Sequence, residues 1–134
     1  MAYTTIDDPG LFFNTKLYTG TGSSNAITGV GFQPDWVWIK DRGDTHNHNL
    51  FDSVRGATKR IYSDTDDLES THAESLKSFD SDGFTVGTQT NVNQSSHNLV
   101  AWNWLAGTTG SGTTTGTGTG KAYSYSVNTT SGFS

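Results

Sequence analysis

The strongest apolar clusters of this chain alternate with a period of two, the mark of strands with two distinct faces. In Leu99-Val100-Ala101-Trp102-Asn103-Trp104-Leu105-Ala106, Val100, Trp102 and Trp104 project to one side and Leu99, Ala101, Asn103 and Leu105 to the other. Trp36-Val37-Trp38-Ile39-Lys40 is a second cluster, rich in aromatic and β-branched residues. Pro34 stands just outside it, where a missing backbone N–H does no harm. Shorter strands are predicted over residues 15–19, 49–54, 60–63, 76–80 and 84–87. Turn chemistry separates them at Gly20-Thr21-Gly22-Ser23, Arg42-Gly43-Asp44 and Ser81-Asp82-Gly83, with Gly83 suited to a positive φ. Residues 64–77 are too sparse in apolar positions to make a helical stripe. Many short strands joined by glycine-rich turns predict an all-β sandwich or barrel.

The character of the chain changes after Asp82, its last acidic residue, beyond which the only charged side chain is Lys121. Residues 107–120 contain only Gly, Thr and Ser, a composition that buries no apolar surface to offset the entropy of ordering. The expected organisation is a β-sandwich module over 1–106 with a short N-terminal arm, then a flexible Gly/Thr/Ser linker over 107–121. In 122–134, Tyr123, Tyr125 and Val127 alternate with Ser124 and Ser126, so this segment reads as an extended strand. It either opens a second module or fibre stalk, or folds back onto the first sheet or a partner.

Charge narrows the function. The chain of 134 residues carries 13 acids against 8 bases, a net charge of −5, with no cluster of Lys and Arg to track a phosphate backbone. The absence of cysteine excludes disulfides, thiol catalysis and Cys-based zinc sites. No apolar run approaches the roughly 20 residues that span a bilayer. Met1 to Asp8 has neither a basic nor an apolar region of the kind a secretory signal needs, so synthesis without a signal peptide is expected.

Several residues carry candidate chemistry. Trp36, Trp38, Trp102 and Trp104 offer flat faces for a ligand or partner, but two Trp-x-Trp strands also suit a core, and at least one member of each pair is expected there. His46 and His48 would point the same way on a strand, and Asp80 and Asp82 could offer oxygen ligands to calcium; both pairs lack the further ligands a metal needs. Glu69 and Glu74 are the only glutamates that a glycosidase reading could use, and they lie in or beside a polar, solvated stretch. Asp52 and Arg55 are placed to form an ion pair that would fix the turn at Gly56. There is no nucleophile elbow, P-loop or dinucleotide fingerprint. No catalytic residue and no cofactor are assigned.

Three segments together carry a family resemblance. They are Tyr18 to Gly22 with Gly29-Val30-Gly31-Phe32-Gln33-Pro34-Asp35-Trp36-Val37-Trp38-Ile39-Lys40; Asn49-Leu50-Phe51-Asp52-Ser53-Val54-Arg55-Gly56; and Phe79-Asp80-Ser81-Asp82-Gly83-Phe84 with Val100-Ala101-Trp102-Asn103-Trp104. Their order resembles a module that recurs in structural proteins of marine bacteriophages and is similar to concanavalin A-like lectin/glucanase, or jelly-roll, domains. The resemblance implies a non-enzymatic virion protein, an attachment or decoration module of a capsid or tail fibre. Its expected place is the particle surface. Its partners would be other virion proteins and copies of itself, a trimer by analogy with fibres, with no nucleic acid and no membrane insertion. The alternative it implies is a lectin-like module that recognises host surface glycans.

Overall fold

A computed structural model describes residues 6–134. In these residues, after a 3-10 turn at Pro9–Leu11, where the Asp8 carboxylate accepts from the Gly10 N–H, eleven strands follow. They are β1 (Phe13–Thr19), β2 (Asn25–Ile27), β3 (Trp36–Asp41), β4 (Asn49–Asp52), β5 (Lys59–Tyr62), β6 (Ser70–Thr71), β7 (Leu76–Asp80), β8 (Gly83–Val86), β9 (Asn98–Trp104), β10 (Thr108–Thr113) and β11 (Ala122–Val127). One short helical turn, α1 (Thr90–Asn93), leads into β9. A six-stranded antiparallel sheet in the order β1-β9-β3-β4-β5-β6 faces a three-stranded one, β2-β8-β7, while β10 and β11 pair only with each other. The protein is an all-β antiparallel sandwich, as the alternation predicts.

Register explains which side chains meet. Val37 pairs with Phe51, and Ile39 with Ala101. These inward residues and Leu99 join Ile27, Leu76, Phe84 and Val86 of the smaller sheet, with Val92 of α1, in one buried cluster. At roughly 1.5–3 kcal/mol for each large side chain removed from water, this layer dominates the stability of the sandwich. Tyr18 packs on it and donates its hydroxyl to the Val92 carbonyl at 2.6 Å. Burial, helped by the nearby Asp41 charge, pushes that phenol well above its ordinary range.

One buried amide ties the loops to the core. Asn93 is fully buried; its Oδ1 accepts from the Thr21 N–H at 2.9 Å and from Asn25, and its Nδ2 donates to the carbonyls of Ser23 and Gly87. The loop after β1 is thereby fixed to the end of β8, where an unpaired polar group would be costly.

The C-terminal quarter departs from expectation. Residues 108–113, expected inside a flexible linker, form β10 and pair with β11 along their whole length. The reason lies across the pair: Gly110 faces Tyr125 and Gly112 faces Tyr123. A Cβ at Gly110 would come within 2.5 Å of the Tyr125 ring and one at Gly112 within 2.8 Å of the Tyr123 ring, so each ring lies directly over the bare backbone opposite. The tyrosines supply the cover that a Gly/Ser/Thr strand lacks. Only residues 114–121 keep the irregular Gly/Thr character expected of the whole segment. Strands β2 and β6, of three and two residues, are also absent from the expected set.

Candidate functional site: an outward aromatic face

Because β3 and β9 send Val37, Ile39, Leu99 and Ala101 inward, all four tryptophans point outward. The register sets Trp36 beside Trp104 and Trp38 beside Trp102 on neighbouring strands, and every one is partly exposed. The expectation that at least one member of each pair lies in the core is therefore corrected. Two sheets packed about 10 Å apart fill their gap with aliphatic side chains, Phe51 and Phe84 here, which leaves the bulkier indoles on the outer side.

The outward rings form two groups. Trp38 and Trp102 meet edge to face, with ring centres 5.6 Å apart, and Trp38 Nε1 donates to His48 Nδ1 at 2.8 Å. Trp104 contacts Phe13 at 4.8 Å on one side and stacks on Phe133 at 5.9 Å. An open groove of about 270 Å³ is lined by Trp38, Trp102 and Trp104. A second hollow, about 370 Å³, lies where the β10–β11 hairpin folds back; Trp36, Val54, Tyr125 and Phe133 line it together with Asp52 and Arg55. The terminal segment touches the first sheet here, through Phe133 on Trp104.

The remaining candidates are not brought together. His48 is held by Trp38, whereas His46 Nδ1 lies 3.2 Å from the Asp41 carboxylate. Asp80 accepts from the Ser78 and Thr85 hydroxyls at 2.7 Å each. Asp82 accepts instead from the N–H groups of Gly31 at 2.7 Å and Gly29 at 2.9 Å, which hold its carboxyl below the usual range. Glu69 pairs with Arg55 at 3.0 Å, and Glu74 with Lys77 at 3.2 Å. Among the described residues no three His, Asp or Glu side chains converge as a metal site. Asp52 and Arg55 do form the ion pair expected of them, and Asp52 also accepts from the Arg55 N–H at 2.8 Å and the Gly56 N–H at 3.1 Å, which sets the turn.

A family model described as a domain of unknown function (DUF7483) matches residues 8–134. The chain belongs to that family. No curated protein and no solved structure matches it. The DUF7483 match takes in the hairpin as well as the sandwich, so β10 and β11 lie within the family's own unit.

Two acids of the DUF7483 chain escape a reading of the sequence. Asp35 ends the turn before β3: its Oδ1 accepts from Ser53 Oγ at 2.7 Å, and its Oδ2 from the N–H groups of Ala106 at 2.9 Å and Gly107 at 2.6 Å. It thereby anchors the entry to the hairpin beside Trp36. Asp41 is buried between His97 at 2.9 Å and His46 at 3.2 Å and accepts from the Gly43 N–H at 2.8 Å. Burial pushes its carboxyl up, but the Gly43 N–H and the two imidazoles outweigh that and hold it below the ordinary range. A depressed folded-state pKa stabilises the fold above the unfolded value, and the contribution disappears as pH falls through the folded one. Stability should therefore decline below about pH 4, where carboxylates begin to protonate. Asp41→Asn should lower stability at neutral pH by about 1–3 kcal/mol and flatten the acid decline, both readable by urea titration at several pH values.

Proposed function

We propose that this domain is a non-enzymatic binding module, an attachment or decoration element of a phage particle surface, and that it makes contact through the outward aromatic face. The observation that supports this reading is the set of four partly exposed tryptophans on neighbouring strands of one sheet. Exposed aromatic clusters of this kind mark sites of association, and tryptophan is enriched among residues that dominate binding energy. Nothing comparable supports catalysis: the carboxylates are engaged one by one in structural contacts. The virion setting rests on the sequence resemblance.

The test is localisation. Particles of a phage that encodes the chain, purified and labelled with an antibody to the domain, should show it at a fixed site on capsid or tail. Particles free of the chain would overturn the virion assignment.

The groove lined by Trp38, Trp102 and Trp104 also favours a second reading, recognition of a host glycan, because indole faces stack against the CH faces of pyranose rings. A glycan array separates the two. Binding that is lost on Trp102→Ala supports the lectin-like reading, and an array without signal removes it.

A further inference from the structure

The sandwich and the hairpin treat their edges differently. Open strand edges invite pairing with other chains, and proteins blunt them with charge, bulges, short strands or covering loops. In the larger sheet, edge strand β1 carries Lys16, and the Asn14 and Lys16 side chains bond the carbonyls of Val30 and Gly29 in a flanking loop; the opposite edge, β6, has two residues. In the smaller sheet, β2 has three residues, and β7 carries Lys77 and Asp80 with a register break between Leu76 and Ser78. The hairpin has none of these devices. Both its strands have six residues, neither contains a charge or a proline, and each pairs on one side only.

Charge is partitioned in the same way. Every acid and all but one of the bases precede residue 83, while the hairpin carries Lys121 alone, at its tip. Two copies of a chain with a net charge of −5 repel each other least where neither carries charge. A two-stranded ribbon is also marginal by itself and gains from further strands.

We propose that the hairpin is a self-assembly element, and that β11 pairs antiparallel with β11 of a second copy to make a four-stranded sheet about a two-fold axis. An antiparallel edge is complementary to itself, as a two-fold interface requires. The pairing strand is β11 because residues 122–125 are all exposed and Tyr123 and Tyr125 favour sheet, whereas β10 is interrupted by Gly110 and Gly112. The pairing uses the backbone edge of β11 and not the groove lined by Trp38, Trp102 and Trp104, while Tyr125 also borders the hollow beside Trp36.

Sedimentation velocity on the full chain tests it. The expected species has twice the 14.4 kDa chain mass. Ser124→Lys and Ser124→Glu should each weaken association several-fold, in a manner relieved by salt, and a mixture of the two should restore it. Because the chain has no cysteine, Ser124→Cys gives a single thiol that can bridge only between copies, and oxidation should yield a covalent dimer. A monomer at every concentration overturns the proposal. So does a mass of three chains, or a dimer that ignores the Ser124 variants and falls apart on Trp102→Ala.

Discussion

The Trp38→Ala, Trp102→Ala double variant should remain folded and lose attachment to its partner. Both indoles stand on the outer face, and their edge-to-face pair lines the open groove shared with Trp104. Truncating an aromatic that dominates an interface costs about 2 kcal/mol or more, which is roughly 30-fold in affinity for each one. The two rings touch, so their effects will not add exactly as singles. The fold should survive because the buried cluster contains neither residue. Loss of Trp38 also leaves His48 without its indole donor, so the thermal midpoint should fall modestly. The check is binding of the purified variant to particles stripped of the chain, beside circular dichroism. Full binding by a folded double variant would show that the aromatic face is not the contact surface.

The largest loss of stability from a small change is expected at Gly83. This residue opens β8 with φ +150, and a Cβ there would lie 1.9 Å from the Ile27 carbonyl oxygen. The obstacle is backbone of β2, which pairs with β8 through Ile27 and Phe84, so it cannot move aside without parting the two strands. Ile27 and Phe84 are also both core residues. Gly83→Ala should therefore cost more than about 4 kcal/mol, in the range reserved for gross steric conflict. Gly31→Ala makes a useful control: its φ is +93, but nothing lies within 4 Å of the added methyl, so only backbone strain of roughly 1–3 kcal/mol applies. Chemical denaturation of the three proteins should rank wild type, Gly31→Ala and Gly83→Ala in falling order.

Local chemistry made much of the sandwich legible. The alternation in residues 99–106 and 36–40 marked β9 and β3 and the correct split of β9 side chains between faces, because a strand's two faces follow from its period alone. The turn at residues 81–83 was readable because Asp and Gly each have a local reason to be there, and Gly83 has the positive φ expected of it. The Asp52–Arg55 pair was readable from its short spacing and the turn between its members.

Which face of β3 and β9 is the inside could not be read, since both faces of each strand are apolar and only the placement of the second sheet decides between them. That choice put all four tryptophans on the surface, where the sequence led to at least one of each pair in the core. The strand hidden in residues 108–113 was likewise decided by tertiary structure. A Gly/Thr/Ser run has no reason to order itself, and its order comes from Tyr123 and Tyr125 lying over Gly110 and Gly112 across the ribbon. Asp35 and Asp41 took their roles in the same way, from the Ala106 and Gly107 N–H groups and the His97 imidazole, which are distant in sequence and meet them only when the strands pair. What depends on a residue and its near neighbours was set by the sequence alone, whereas what depends on a partner across a sheet had to await the fold.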